Sequence, residues 1–419
     1  MMSLLKYGTG SSLSLELVDE TLVARCDAPR GAPLAGIAEA VDRALAEPLE
    51  FPALAQAVLP LDKVVLALEP GVPQAATVVE RAVRVLLANG VVVQDITLLR
   101  TLADVAAGAA DPLAGLPGEI GSAIVNKIHD PLSRDSLSYL AASTDGKPIY
   151  VNRAIHDADL VVSIGCLRLE ESLGYYGIYS SVFPAFSDAA SIRRYQSPKA
   201  AGAVERKRLA KQANEVSWLL GLTFTIQVLP GPGSEILQVL AGEPAAVFRE
   251  GSRLCDEAWS FYVPQRANLV VATIEGKAHQ TWENVGRALA AAARAVSADG
   301  AVAICTELAE RPGPALQQVI GADDLDEVLH DIDKHPPSDA LPASELVHAL
   351  RRGKVYLISR LDEDLVEELG VSPVAADQLS KVAGRYDSCI VLTNAHYAMA
   401  RPHREASEPK PIARSKSRK

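Results

Sequence analysis

The chain has 419 residues, a length more natural for two domains than for one. Hydrophobic residues make up 48% and charged residues 22%, which describes an ordinary water-soluble protein with a sizeable core, and the net charge of −11 argues against a broad nucleic-acid surface. Aromatics supply only 5%, so the core must rest on Ala, Val, Leu and Ile, a composition that suits parallel sheets covered by helices.

Alternation over 12–27 predicts a β-hairpin turning near Asp19-Glu20. Gly36 to Leu49 reads as a helix. Lys63 to Leu68 is a short apolar strand, punctuated by Glu69-Pro-Gly-Val-Pro73. Ala75 to Ala88 is an amphipathic helix with an Asn89-Gly90 stop signal. Strands follow at Val91–Leu99, Ser122–Ile128, Gly146–Val151 and Leu160–Ile164. Arg206–Trp218 reads as a helix, Leu222–Val228 as a strand, Pro230–Gly233 as a turn and Pro244–Phe261 as a long helix. Pro264-Gln-Arg266 reads as a hinge, after which the alternation restarts. Strands are expected at Leu269–Ile274, Ala301–Cys305, Val355–Ser359 and Cys389–Thr393. Helices are expected at Thr281–Val296, Pro314–Ile320, Leu325–Ile332, Ser344–Arg352, Glu363–Leu369 and Ala375–Tyr386.

Strands alternating with helices predict an α/β protein with mostly parallel sheets. The expected organisation is two three-layer α/β/α domains, 1–264 and 265–400, with a cleft between them. A basic tail, 401–419, carries seven Lys or Arg against two Glu and is expected to be disordered. The five cysteines are scattered, with no CxxC spacing, which argues against a disulfide framework or a zinc site. No stretch approaches the roughly 20 apolar residues of a membrane span, and the N-terminus lacks a signal-peptide pattern. A cytoplasmic location and no membrane partner are therefore expected.

The loop Glu171-Ser-Leu-Gly-Tyr-Tyr-Gly-Ile-Tyr-Ser-Ser-Val-Phe-Pro184 follows the strand Leu160–Ile164, where α/β folds place their ligands. Other stretches keep a fixed order around it: Val41 to Pro48, Lys63 to Pro73, His129-Asp130, Gly146 to Arg153, Ala158 to Gly165, and Leu240 to Ala246. In that order and spacing the chain resembles the nickel-dependent lactate racemase family. The resemblance implies the family's two-domain fold and a 2-hydroxy-acid racemase or epimerase scaffold. It also implies a nickel-pincer nucleotide cofactor tethered to a Lys, a His on the nickel, two proton-transferring His and a carboxylate-binding Arg.

At those positions this chain differs. The carboxylate-binding Arg falls on Pro70, one catalytic His on Ala103, the second on Leu173, the tether Lys on Phe183, and the nickel His near Gln196. No His occurs between His156 and His279, and no Lys between Lys147 and Lys199, so a small slip of alignment does not restore them. Leu and Ala transfer no protons and Phe forms no tether, so a tethered cofactor and a metal site are not expected.

The remaining polar residues define a weaker site. Glu171, Ser172, Tyr175 and Tyr176 could edge a ligand pocket, or pack as an ordinary loop. Arg287 falls where the resemblance implies a basic substrate-binding residue, and Gln280 precedes it near a helix start that favours anions. Either could instead be structural. His279 is a proton-transfer candidate beside that helix. His129 is a second, although Asp130 beside it on a strand would point to the opposite face. Two functions stay open. One is an isomerase acting on a small hydroxy acid by altered chemistry. The other is a non-catalytic homologue that binds a small anionic ligand or a protein partner.

Overall fold

The computed structural model describes residues 2–403 except 28, 107, 144 and 145. The tail expected to be disordered falls almost wholly outside the described residues. Among the described residues eighteen strands occur in chain order. They are β1 (Met2–Tyr7), β2 (Ser11–Glu16), β3 (Leu22–Cys26), β4 (Val64–Leu68), β5 (Ile96–Thr101), β6 (Val125–His129), β7 (Leu137–Ala142), β8 (Pro148–Asn152) and β9 (Leu160–Cys166). There follow β10 (Phe224–Pro230), β11 (Ile236–Gly242), β12 (Ser260–Val263), β13 (Ala267–Thr273), β14 (Val296–Cys305), β15 (Val355–Ile358), β16 (Ser372–Pro373), β17 (Cys389–Leu392) and β18 (Met399–Pro402).

Two six-stranded sheets dominate, ordered β11-β10-β9-β4-β5-β6 and β16-β15-β14-β13-β17-β3. Every pairing in them is parallel except β10 with β11. The central strands explain why. Val64–Leu68 and Leu160–Cys166 are apolar throughout or nearly so and buried along their whole length, as a strand covered on both faces must be. Helix Ala75–Ala88 buries Val78, Val79, Ala82, Val83 and Leu86, the stripe its 3.6-residue period lays on one face. Each such side chain removed from water contributes about 1.5–3 kcal/mol.

Two expectations change. The N-terminal hairpin is β1–β2, turning at Gly8 to Gly10, rather than 12–27 turning at Asp19-Glu20. Asp19–Thr21 is a single 3-10 turn, and β3 leaves the hairpin to pair in parallel with β17, more than 360 residues away in sequence. Alternation marks a strand but not its partner, and a nearby turn signal does not show which strands it joins. The second change concerns Pro148–Asn152. Expected among the strands of a mostly parallel sheet, it pairs antiparallel with β7 in a separate two-stranded ribbon.

Each large sheet reverses its strand order once. In the first the chain moves from β4 outward to β5 and β6, then returns to build β9, β10 and β11 on the other side. In the second it moves from β13 through β14, β15 and β16, then returns to β17. The crevices beyond the carboxyl ends of β4/β9 and of β13/β17 are therefore the topological switch points, where open α/β sheets bind ligands. Register keeps the strand ends level: Leu68 lies opposite Ile164, Cys166 opposite Val228, and Ala272 opposite Leu392.

Candidate functional site

The residues just past the four switch-point strands meet. Glu69 follows β4, Arg168 follows β9, His279 follows β13, and His396-Tyr397 follow β17. Arg168 forms a largely buried ion pair with Glu69 at 2.8 Å, and the second Glu69 oxygen accepts from the Cys166 backbone N–H at 3.2 Å. Gly165 permits this. A Cβ there would come within 2.8 Å of the Glu69 carboxylate and 2.7 Å of the Gln227 amide. Across the crevice, His279 Nδ1 faces the Glu275 carbonyl at 2.8 Å and its Nε2 faces the Tyr397 hydroxyl at 3.0 Å. A carbonyl only accepts, so Nδ1 carries the proton and Tyr397 donates to Nε2. The Cys166 thiol bonds the Leu167 carbonyl at 3.8 Å.

Behind this pair stands His396, with its ring centroid 4.8 Å from His279. It is 3% exposed, and neither ring nitrogen has a hydrogen-bond partner among the described residues. Burial pushes its imidazole well below the usual range, and His279, Arg287 and Arg168 add to the effect. His279 is also held below its usual value. Burial is the main cause, opposed by the Glu275 and Gly71 backbone and aided by Arg287 and Arg168. Burial raises the Tyr397 phenol well above its ordinary value.

A cavity of about 880 Å³ opens beside these groups. Its walls include Glu69 and Gly71 to Ala76 from the turn and helix start after β4, Gly276 to His279 after β13, and Thr393-Asn394 after β17. The N-terminus of helix Ala75–Ala88 faces it with no side-chain cap. Asp104 also lines it, held by Arg100 at 2.6 Å in a buried ion pair next to Ala103. That volume is typical of a small-molecule site.

The sequence-derived candidates divide by location. His279 is on the cavity wall. Arg287 lies nearby; it bonds the Asn284 amide oxygen at 2.8 Å and pairs with Glu283, leaving its Nε without a protein partner. Gln280 spends its whole amide internally. It donates to the Gly276 and Ile274 carbonyls at 2.7 and 3.3 Å, and accepts from Thr306 Oγ1 and the Glu307 N–H at 2.6 and 2.7 Å. His129 is buried at the far edge of the first sheet. Asn152, oriented by the Ala154 N–H on its oxygen, donates to Nδ1 at 3.0 Å, and Nε2 donates to the Ser187 carbonyl at 2.8 Å. Both ring nitrogens are thus consumed in holding β6 to the segment after β9.

Glu171, Ser172, Tyr175 and Tyr176 line no part of the large cavity. Glu171 is an exposed carboxylate near Arg294 and Arg401, each at 3.4 Å. Ser172 closes a turn through its backbone N–H on Leu169. Tyr175 meets Tyr195 edge-on at 4.8 Å, and Tyr176 lies 5.7 Å from Phe248. Burial raises both phenols. Glu69, Arg168, Cys166, His396 and Tyr397 were not singled out in sequence. The signal was available, since each sits just past or at the end of a predicted strand, but it needs the strand order to be read.

The nickel-pincer nucleotide does not fit the residues present. At the tether position Phe183 is 1% exposed, packed edge-on to Tyr195 at 5.3 Å. Leu173 lies over Gly286, where a Cβ would come within 3.2 Å of it. Carbon occupies the places where an amine and an imidazole are needed. Among the described residues no group of three or more His, Cys, Asp or Glu is arranged to hold a metal ion. Nor is any described helix long and apolar enough to cross a membrane.

Comparison with known proteins bears on the scaffold. Residues 7–200 match the family model described as the lactate racemase N-terminal domain. The fold is similar to that of the lactate racemase apoprotein from Thermoanaerobacterium thermosaccharolyticum, with a TM-score of 0.76 and 16% identity, covering 96% of this chain and 100% of the other. It is also similar to a structural-genomics protein from Thermotoga maritima, with a TM-score of 0.66 and 15% identity, covering 89% of this chain and 99% of the other. No curated protein is matched by the sequence. Domain match and fold agree: residues 7–200 resemble the lactate racemase N-terminal domain, and the chain as a whole has a lactate racemase-like fold.

Proposed function

We propose that this protein keeps the scaffold of a 2-hydroxy-acid racemase or epimerase but uses it to bind a small organic anion, without nickel-pincer chemistry. The cavity at the meeting of the two switch points carries the reading. It brings the uncapped start of helix Ala75–Ala88, Lys277 and His279 to one space. Free backbone N–H groups and a cationic side chain favour a carboxylate or a similar anion. The places that would serve the cofactor are filled by Phe183 and Leu173.

An isomerase acting by other chemistry is the second reading. The hydrogen-bonded His279–Tyr397 pair favours it, because an imidazole on a cavity wall can move a proton. One preparation separates the two. Intact mass and nickel content are measured on the purified protein, followed by calorimetric titration with sodium L-lactate. Loss of the C2–H signal of lactate in D2O is then followed by NMR. The binding reading expects the mass of the bare chain, no stoichiometric nickel, heat of binding and no C2 exchange. A nucleotide-sized mass increment with nickel overturns it, and so does exchange at C2.

A further inference from the structure

We propose that anion binding in the cavity is coupled to proton uptake, with His279 as the ligand-facing group that gains the proton and Tyr397 as the residue that accommodates it. The proposal rests on the small-anion reading of the cavity and adds how that site is switched.

The imidazole of His279 is held in one tautomer. Nδ1–H donates to the Glu275 carbonyl, and Nε2 accepts from the Tyr397 hydroxyl. Gaining a proton would put an N–H on Nε2. In most buried sites that would set two donors against each other. Here the Tyr397 oxygen has lone pairs to accept the new N–H once its own proton rotates away from the ring. The His279–Tyr397 contact can therefore be made in two ways that differ by one proton.

Charge decides which arrangement holds. Arg287 faces the ring from helix Trp282–Ala295, Arg168 from the segment after β9, and His396 and Tyr397 from the loop after β17. The carbonyls of Glu275 and Gly71 are the nearby acceptors. The cavity's carboxylates at Glu69, Asp27 and Asp104 each already hold an arginine: Arg168, Arg25 and Arg100. Glu275 turns its carboxylate toward Gly233, where a Cβ would come within 3.3 Å of it. Glu235 and Lys277 are exposed on the rim, of opposite sign. Next to His279, then, positive groups and burial oppose a further positive charge. An anion on the cavity wall supplies the counter-charge that the protein itself does not place there. By linkage, whatever makes the bound complex favour His279 protonation makes acid favour binding.

The test uses the full chain with sodium L-lactate, and separately sodium sulfate, as probes. Titration calorimetry is run at one pH in two buffers of different ionisation enthalpy. The difference in heat reports protons taken up, expected to approach about one per anion between pH 6 and 7. Affinity is expected to rise about tenfold per unit fall in pH in that range, the limit for one linked proton. His279→Gln should abolish the buffer dependence of the heat, whatever affinity it retains. Tyr397→Phe should lower the uptake, because the new N–H loses its acceptor. Wild-type binding with equal heats in both buffers overturns the coupling and leaves the binding reading intact. Absence of heat with both anions overturns both. Because the wild-type measurement needs no variant, a variant that fails to fold does not decide the outcome.

Discussion

Two loops in this molecule sit in equivalent places and are built in opposite ways. The loop after β9, from Leu167 to Ser187, leaves the central strand of the first sheet and turns its side chains into carbon. Val182, Phe183 and Phe186 are almost fully buried, and Tyr175 and Phe183 both meet Tyr195 edge-on. The loops after β13 and β17 leave the central strands of the second sheet and bury polar groups instead, namely His279, His396 and Tyr397, one of them without a hydrogen-bond partner among the described residues. The first loop has the position of an active-site loop and the interior of a core. The second pair has the chemistry. Position at a strand end marks where a site can be. Buried polar groups next to open space mark where it is.

The contrast can be broken by mutation, most severely in the carbon-filled loop. Phe183→Ala should cost about 3–5 kcal/mol in urea unfolding, the range for removing a buried aromatic, while leaving anion affinity within a factor of about two if the loop is only structural. A larger loss of binding than of stability would move the site back to this loop. Arg168→Met comes next. It leaves Glu69 buried without its guanidinium, a change worth about 3–5 kcal/mol when a pair is fully buried. The lower half of that range is expected, because the Arg168 side chain is 16% exposed and Glu69 still accepts from the Cys166 N–H.

A pH series tests the second region without mutation. His129, His279 and His396 are all held below their usual value in the folded chain. Unfolding returns each to an ordinary value of about 6.5, so the unfolded state binds more protons on the acid side of that value. Their contribution to stability is complete above about pH 6.5 and is lost as pH falls toward the folded values. The urea midpoint should therefore drop between pH 7 and pH 5. His129→Leu should remove part of that drop, and a flat profile would show that these imidazoles are not buried neutral. Glu171→Ala should give the smallest effect, within about 0.5 kcal/mol, since its carboxylate is exposed and both arginine contacts are long.

Much of the fold is legible in the chain. Ala75 to Ala88 is helical to the residue, because a 3.6-residue stripe ends at Asn89-Gly90 with Gly90 in the left-handed region. Buried strands such as Val64–Leu68 announce themselves by being apolar on both faces. Ile236–Gly242 was missed as a strand, because the Pro-Gly turn before it hid its antiparallel return to β10. Within the site, His279 was visible as a lone imidazole near a predicted helix start. Gln280 looked equally polar in sequence, yet its amide is consumed by four bonds that cross between strand ends. Residue type gives a side chain's capacity to bond, but neither its partners nor what capacity is left over.

The sequence by itself determined the kind of structure and one half of the chemistry. Local periodicity fixes which segments are strands and helices, because burial of one face or two depends only on neighbouring residues. Residue identity fixes what Phe183 and Leu173 cannot do, because no fold gives carbon a proton to transfer. The tertiary structure alone decided the rest. It sent β3 to the far sheet, set the order of strands that creates two switch points, and brought Glu69, Arg168, His279 and Tyr397 together from four separate strand ends. Those choices depend on contacts between residues as far apart in sequence as 25 and 391. Such contacts leave no local pattern in the chain.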